Sequence, residues 1–538
     1  MKIGLFLSAS LLLSALYSCA QPLNQKVNFS RQDSLRGTIT PERAWWNVTQ
    51  YNLHVIPDYN NRSIKGSNHI SFEVLESGNR LQLDLQQPMQ IDSVTWQNGT
   101  LPFERDGNVY FVSFPQPLQK GSIENLHIVF SGTPRAAKNA PWDGGWIWKK
   151  DEKGRPWMSV AVQGLGASAW YPNKDHQSDE PDSGSIFNIT VPDTLIAVAN
   201  GLFKNKQAVG NGLETYQWQV VNPINNYNII PYIGVYTNFS EVYQGEKGPL
   251  NCSYWVLDYN EAKAKEQFKQ AAQTLKAFEH WFGPYPFYED GFKLVESPHL
   301  GMEHQSAVAY GNKYQNGYLG RDLSGSGWGL KWDFIIVHEV AHEWFGNNIT
   351  AKDIADMWVH EGFTSYSETL FTEFYYGKDA ANAYIQGVRQ GIQNDMPIIG
   401  HYGVNQEGSG DMYAKAANML HTIRQIIGDD TKFRNLLRGL NKTFYHQTVT
   451  TQQVEEYMIK ESGKDLQKIF DQYLRATDIP TLEIQGGAYR WTNTIDGFNM
   501  PVRLINGQWL QPTTEWKKGS KTLSAKDIDK NFYINVKG

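Results

Sequence analysis

The chain has 538 residues, of which 41% are hydrophobic and 19% are charged, a balance that is typical of folded proteins and excludes a disordered chain. This length exceeds what one hydrophobic core usually supports, so the sequence predicts several domains. The net charge is −6 and no dense run of Lys and Arg occurs, which excludes the basic surface typical of nucleic-acid binding.

The first twenty residues, MKIGLFLSASLLLSALYSCA, have the pattern of a secretory signal. Lys2 precedes an apolar run over residues 3–16, which is short for a membrane span. The sequence LYSC is similar to a bacterial lipoprotein cleavage box, in which Cys19 is lipidated, and ordinary cleavage after Ala20 is the alternative. We therefore expect an exported protein of a Gram-negative bacterium, periplasmic or tethered to the membrane through Cys19, rather than a fully secreted one.

Strand-like and helix-like patterns divide the rest of the chain into three predicted domains. Short alternating runs separated by turn clusters predict an all-β sheet domain over residues 21–242. A mainly helical domain is predicted over 243–480, with helices over 261–283 and 414–427. Residues 481–538 return to strand-like sequence and predict a small β domain that packs on its neighbour.

The stretch FIIVHEVAHEWFGNNI, residues 334–349, contains the pattern H-E-x-x-H. Residues four apart on a helix lie about 40° apart around its axis, so His338 and His342 project toward one point and suit a tetrahedral metal ion. Glu339 lies nearer the midpoint of the two imidazoles than Glu343 does, as a general base requires. Glu343 is interpreted as a supporting or helix-surface group. The competing interpretation is a helix whose histidines are satisfied by carbonyl groups of the core.

A hydrolytic zinc site requires three protein ligands and one open position. Asp353 and Asp356 fall in the connecting segment, where a solvated or capping carboxylate is the more common role. Glu361 opens the next predicted helix and could direct its carboxylate at the ion. His360 beside it is a rival ligand, and spacing does not decide between the two.

These residues carry a family likeness. HEVAH, followed after eighteen intervening residues by Glu361 within WVHEGF, resembles the gluzincin aminopeptidases related to aminopeptidase N and leukotriene hydrolase. The likeness extends from the strand-rich part to about Leu474, and it implies a multidomain α+β fold with a thermolysin-like, mainly helical zinc catalytic domain. It implies one Zn²⁺ ion bound by His338, His342 and Glu361, and it favours Glu361 over His360.

The resemblance also implies residues that bind substrate. LGMEH is similar to the family's substrate-binding strand, which contains Gly301 and Met302 and in which Glu303 binds the free α-amine of a peptide. A carboxylate fixed opposite the ion admits only the first residue of a chain. The segment DMYAKA resembles the family's Tyr-x-Lys-Gly pattern and implies that Tyr413 stabilises the oxyanion. Gln163 matches the glutamine that helps to hold the substrate's N-terminus.

The chain departs from the family pattern at several points. His304 and His360 stand where relatives commonly carry Asn, and Ala416 replaces the usual Gly. Many relatives carry a large helical domain after the catalytic part, whereas a short β-like segment follows here. We therefore expect an open cleft that longer peptides can enter.

The sequence thus predicts an exported zinc aminopeptidase acting on peptides with a free N-terminus. In this prediction Glu339 takes a proton from a metal-activated water and Tyr413 stabilises the oxyanion. The rival hypotheses are a zinc endopeptidase with the same ligands and a catalytically dead, tethered peptide-binding lipoprotein. The sequence makes no prediction of the preferred first residue, the biological substrate or the oligomeric state.

Overall fold

A computed structural model describes residues 28–538, and the predicted signal segment with Cys19 lies outside the described residues. Two short helices, Arg31–Gly37 and Pro41–Ala44, open the described chain. An eight-stranded sheet follows. Its strands lie in the spatial order Leu202–Gly210, Leu213–Val220, Ser185–Pro192, Trp46–Asp58, Ser63–Val74, Ile123–Gly132, Gln90–Trp96 and Gly99–Thr100.

Two smaller sheets complete the N-terminal β domain. The first contains Gly78–Asp84, Val109–Leu118 and Phe103–Asp106, and the second contains Ile196–Val198, Tyr232–Gly234, Pro156–Ala161 and Gly145–Lys150. The alternating side chains Tyr51, Leu53 and Val55 are fully buried on one face of the main sheet. Alternation therefore fixes which face of this strand packs on the core, because successive side chains point to opposite faces.

The catalytic domain begins with a five-stranded sheet. Its strands lie in the order Tyr236–Gly245, Gly248–Leu257, Phe292–Glu296, Val308–Tyr310 and Gly301–Met302. The predicted boundary at residue 242 falls inside the first of these strands, which pairs along its whole length with the second. The short edge strand Gly301–Met302 lies antiparallel to Val308–Tyr310 and brings Glu303 to the end of the sheet.

Helices pack on this sheet and form most of the catalytic domain. Their bounds are Glu261–Gln267, Lys269–Phe282, Phe334–Ala341, Trp358–Tyr376, Lys378–Gly387, Ala414–Ile427, Asp430–Thr443, Thr451–Ser462 and Gln467–Arg475. The predicted helix over 261–283 is two helices that meet at Phe268 and end at Gly283. The predicted helix over 414–427 has the predicted bounds, and Gly428 ends it in the left-handed conformation that favours glycine.

The chain ends in short β-strands. A four-stranded sheet contains Lys517–Lys518, Ala488–Thr492, Thr481–Gln485 and Asn535–Lys537, and a two-stranded sheet contains Val502–Arg503 and Trp509–Leu510. Buried residues of this segment, such as Trp491 and Phe532, share one hydrophobic core with the catalytic helices. Within residues 28–538, no helix combines the length and the apolar character that crossing a membrane requires.

Candidate metal centre and active site

The H-E-x-x-H motif lies on the helix Phe334–Ala341, which we call the metal helix. Its first residue follows Asp333, whose carboxylate accepts the backbone N–H groups of Ile335 and Ile336 and so caps the helix. His342 immediately follows the last helical residue but keeps helical backbone angles, φ −61° and ψ −19°. It therefore stays on the same face as His338, one turn further along.

His338, His342 and Glu361 meet at one point. Glu361 Oε2 lies 3.6 Å from His338 Nε2 and 3.4 Å from His342 Nε2, and all three residues are buried. Glu361 reaches this point from the first turn of the helix Trp358–Tyr376, here named the Glu361 helix. Burial alone would raise the pKa of Glu361, but His342 and His338 hold that pKa well below its usual range.

The Nδ1 atoms of both histidines are engaged by neighbouring oxygens, which leaves the Nε2 atoms available for a cation. His338 Nδ1 lies 2.7 Å from Glu368 Oε1, and His342 Nδ1 lies 2.9 Å from the carbonyl oxygen of Phe345. Within the described chain, Glu361 Oε2 is buried without a hydrogen-bond partner. Two imidazoles with engaged Nδ1 atoms and one orphaned carboxylate oxygen are the donor set and geometry that fit a zinc ion.

The two neighbouring candidates, His360 and Glu343, are directed elsewhere. His360 Nε2 accepts the backbone N–H of Ala351 at 2.7 Å, so this ring is engaged with a strand and not with the cluster. Glu343 accepts the backbone N–H of Ser306 at 2.8 Å and is fully buried. The prediction of a supporting role for Glu343 agrees with this contact, but its alternative placement on the helix surface was wrong, because the turn before the strand Val308–Tyr310 covers it.

Glu339 lies beside the cluster and faces the substrate strand. The acceptor atoms of Glu339 and Glu303 and one imidazole nitrogen of His342 lie within 4.8 Å of one another. A Cβ atom built on Gly301 would lie only 2.6 Å from Glu339 Oε1, so glycine at 301 gives this carboxylate its space. Burial, with Glu303 and Glu361 nearby, raises the pKa of Glu339 to about 7.

A second group of contacts holds Glu303. The Gln163 side-chain amide donates to Glu303 Oε1 at 2.5 Å, and the Tyr227 hydroxyl donates to the same oxygen at 2.9 Å. Asn347 donates to the Glu303 backbone carbonyl at 2.7 Å. Gln163 and Tyr227 come from the N-terminal domain, so two domains build this site. Sequence reasoning missed Tyr227, because no spacing pattern links residues of different domains.

All nine site residues predicted from the sequence line one cleft, which has a volume of about 440 Å³. Tyr413 lines the cleft with its ring 6.2 Å from that of His338, and Met302 lies on the strand Gly301–Met302. His304 does not line the cleft, because its Nδ1 atom lies 2.8 Å from the Tyr232 hydroxyl. Ala416 packs closely on Gly362, where a Cβ atom would lie 2.7 Å from the Ala416 methyl group.

Glu368 is the second residue that sequence reasoning missed. It lies seven residues after Glu361 on the same helix, two turns away and on nearly the same face. Its second oxygen accepts the Tyr384 hydroxyl at 2.6 Å, which fixes the carboxylate against His338. The spacing of the two glutamates was a signal that could have found it.

Fold and site together define an H-E-x-x-H metallopeptidase with a separate β domain. The chain belongs to the peptidase M1 family: residues 266–473 match the peptidase family M1 domain and residues 47–227 match the peptidase M1 N-terminal domain. This result confirms the family resemblance inferred from the motifs.

Named relatives share the family at low identity. The chain is 22% identical over 452 residues to Aminopeptidase 2 of Candida albicans, covering 81% of this chain and 48% of the relative. It is 24% identical over 418 residues to human Aminopeptidase B, covering 73% of this chain and 58% of the relative. The chain thus spans about half the length of these curated relatives.

A solved structure matches the fold over most of its own length. It is the M1 zinc metallopeptidase from Deinococcus radiodurans, with a TM-score of 0.69 and 22% identity, covering 82% of this chain and 95% of that one. A mutant of that protein has been crystallised with a Tyr-Ser-Ala substrate. The likeness confirms the predicted fold class, in which a β domain precedes a mainly helical catalytic domain.

Proposed function

We propose that this protein is a zinc-dependent aminopeptidase that removes the first residue of peptides. The observation that carries the proposal is the position of Glu303, a buried carboxylate held by Gln163 and Tyr227 beside Glu339 and the metal cluster. A carboxylate at this distance from the reacting centre would bind an α-ammonium group and so select chain ends. The names of the relatives, which are aminopeptidases, support the same activity.

The metal would be held by His338, His342 and Glu361. A zinc ion there would polarise the scissile carbonyl and lower the pKa of water. Glu368 would keep the Nδ1 proton of His338 engaged, so that Nε2 presents its lone pair inward. The unpaired oxygen of Glu361 and its short distances to both imidazoles support this assignment.

The protein's own groups would carry the proton transfers. Glu339 would accept a proton from the attacking water and deliver it to the nitrogen of the leaving peptide. Tyr413, on the cleft wall beside His338, would donate its hydroxyl to the oxyanion as the carbonyl becomes tetrahedral. Glu303 and Gln163 would hold the α-ammonium group, while Gly301 and Met302 lie along the peptide backbone.

Blocking the N-terminus of a substrate tests the proposal. The zinc-loaded protein should hydrolyse a free peptide and leave its N-acetylated form intact, because acetylation removes the charge that Glu303 would bind. Mass spectrometry of the products reports the position of cleavage. Undiminished turnover of the acetylated peptide would establish an endopeptidase instead.

A second measurement separates catalysis from peptide binding alone. Glu339→Gln should lower kcat by about 10²- to 10⁴-fold while zinc remains bound, because general-base catalysis contributes on this order. Metal analysis of both proteins provides the control. Zinc binding without hydrolysis by the wild-type protein would identify a peptide-binding protein with a dead site.

We further propose that the protein is exported and tethered through a lipidated Cys19. The proposal rests on the charged, apolar and small-residue order of residues 1–20. Mass spectrometry of the mature N-terminus would find a diacylated or triacylated Cys19. A mature chain beginning at Gln21 without lipid would instead indicate a soluble periplasmic or secreted protein.

A further inference from the structure

The cleft is strongly acidic. Seven carboxylates line it, and its lining within residues 28–538 includes no lysine and no arginine. Three of these carboxylates, Glu303, Glu339 and Glu361, belong to the site already described. A cleft lined by one sign of charge attracts ligands of the opposite sign, so this cleft favours cationic peptides even after a divalent cation is bound.

Three of the other four carboxylates already have partners. Glu368 contacts His338, Asp411 accepts two backbone N–H groups, and Asp395 accepts the hydroxyl of Ser409. Glu407 differs from them, since no hydrogen bond or ion pair from any described residue reaches its carboxylate. Glu407 is only partly buried and faces the cleft, so its carboxylate is available to a ligand.

Glu407 lines the same cleft as Glu303 and Glu361. Burial, followed by the charges of Glu361 and Glu303, raises the pKa of Glu407 to about 7. Glu303 would bind the α-amine, and Glu361 belongs to the centre that faces the carbonyl. The α-carbon joins the amine to the carbonyl and carries the side chain of the first residue. That side chain would therefore extend from the reacting centre into the same cleft.

The segment that carries Glu407 is fixed in place. The Asn405 side chain donates to the Gly164 carbonyl at 2.9 Å, next to Gln163, and the Ser409 N–H donates to the Pro397 carbonyl at 2.9 Å. A Cβ atom on Gly408 would lie 1.9 Å from the backbone oxygen of Ile398, so the two loop segments are in close contact. This rigidity presents the carboxylate without the cost of ordering a loop.

We infer that Glu407 is the specificity-determining residue for the side chain of the first substrate residue and that it selects arginine and lysine. The inference rests on the proposed aminopeptidase function and adds its substrate class. An arginine guanidinium could form two charge-assisted hydrogen bonds with the carboxylate, and a lysine ammonium could form one. Either cation would supply the partner that the protein itself does not provide.

Arginyl and citrullinyl anilides provide the test, because citrulline has nearly the shape of arginine without its charge. The wild-type protein should show kcat/KM about 10- to 100-fold higher for the arginyl than for the citrullinyl substrate, as expected for a hydrogen-bonded charge. Glu407→Gln should bring this ratio close to one. Asp395→Asn is the matched control and should keep the ratio, because Ser409 already engages that carboxylate. Glu407→Arg should gain turnover of a glutamyl anilide.

Each outcome decides the inference. A wild-type ratio near one, or a ratio that Glu407→Gln leaves unchanged, would overturn it. Equal losses of kcat/KM on arginyl, citrullinyl and leucyl anilides would place Glu407 at the shared α-amine and overturn it as well. Turnover of the leucyl anilide keeps the proposed function intact in these cases. Only a wild-type protein that hydrolyses none of the anilides would contradict both the proposed aminopeptidase function and the role of Glu407.

Discussion

The two histidines of the metal cluster are oriented by contacts to one ring nitrogen, which leave the other ring nitrogen facing the cluster. His338 and His342 use Nδ1 for contacts with Glu368 and with the Phe345 carbonyl, which directs both Nε2 atoms toward Glu361. Such outer contacts orient metal ligands and raise their basicity. The chemistry of the centre therefore depends on residues that would not touch the ion.

Glu368 offers the most direct test of this dependence. Glu368→Gln should weaken zinc binding by about 10- to 100-fold, because the neutral amide orients His338 less strongly. Competition with a chromogenic chelator measures the zinc affinity. Asp379→Asn removes the same charge at an exposed position of the next helix and should leave the affinity unchanged. Equal affinities of Glu368→Gln and wild type would contradict the role assigned to Glu368.

Gly301 tests the space that Glu339 requires. In Gly301→Ala the new methyl group would lie 2.6 Å from Glu339 Oε1 and 2.9 Å from the Ile335 side chain. If the methyl group displaces the Glu339 carboxylate, the proposed general base, by about 1 Å, kcat should fall by about 10²-fold, and overpacking should cost about 1–3 kcal/mol of unfolding free energy.

Gly99→Ala is the control for this variant, because its nearest neighbour would be a backbone oxygen at 3.9 Å. Steady-state kinetics and urea unfolding of both variants give the two quantities. A Gly301→Ala protein with wild-type kcat would show that Glu339 does not need this space.

Residue types at fixed spacing allowed part of this site to be predicted. Helical geometry alone placed His338 and His342 together, and Glu361 followed from the resemblance. Spacing left His360 open, and only its contact with the Ala351 backbone resolves that choice. Glu407 has no motif at all, because its position results from a loop that packs across two domains.

At the scale of elements, the metal helix depends on its cap. Asp333 accepts N–H groups from the first turn, the Tyr310 hydroxyl at 2.7 Å and side-chain amides of Gln267 and Asn312 at 2.7 and 2.8 Å. Burial raises the pKa of Asp333 to about 6. One carboxylate therefore links this helix to the sheet, through Tyr310, and to the helix Glu261–Gln267.

This raised pKa predicts a pH dependence of stability. The folded state holds the Asp333 proton more tightly than the unfolded state, so the contribution is full below pH of about 4 and is lost as pH rises through about 6. Asp333→Asn removes the titration. The unfolding free energy of wild type minus that of the variant should therefore increase by roughly 2–3 kcal/mol between pH 7 and pH 4. Urea unfolding with a chelator present measures it, and a constant difference would contradict the prediction.

Elements with strong local signals were predicted well. Amphipathic spacing and a glycine stop defined the helix Ala414–Ile427, and alternation defined the buried face of Trp46–Asp58. The buried ion pair of Arg43 with Asp84, at 2.7 Å, had no such signal, because it joins a short helix to a strand that is covered on both faces. A local sequence pattern does not predict which distant residues form an ion pair.

At the scale of the whole molecule, the N-terminal domain contacts the segment that follows the strand Gly301–Met302. The Asn200 side chain donates to the Gln305 carbonyl at 2.6 Å, and the Gly201 N–H donates to the Ser306 hydroxyl at 2.8 Å. Met302 belongs to the hydrophobic core of the N-terminal domain. In the proposed function, the N-terminal domain would therefore position Glu303 for binding of the α-amine, whereas the metal ligands come from the catalytic domain.

These contacts between the domains predict that removing the metal also increases local opening in the N-terminal domain. Without the ion, the charges of Glu303, Glu339 and Glu361 are compensated only by His338 and His342, so the helices around them should open more often. Because Tyr227 of the N-terminal domain donates a hydrogen bond to Glu303, the segment around Tyr227 should open more often as well. Hydrogen-exchange mass spectrometry with zinc and with a chelator should show faster exchange over residues 334–345 and over residues 224–230.

The edge strand Leu202–Gly210 provides the internal control for this experiment. It is exposed along its length and contacts neither the metal helix nor Glu303, so its exchange should be the same with and without zinc. An increase confined to the metal helix and the Glu361 helix would mean that the domains respond independently. An increase that also includes residues 224–230 would mean that the ion stabilises the amine site as well as the reacting centre, because both are anchored on the same strand.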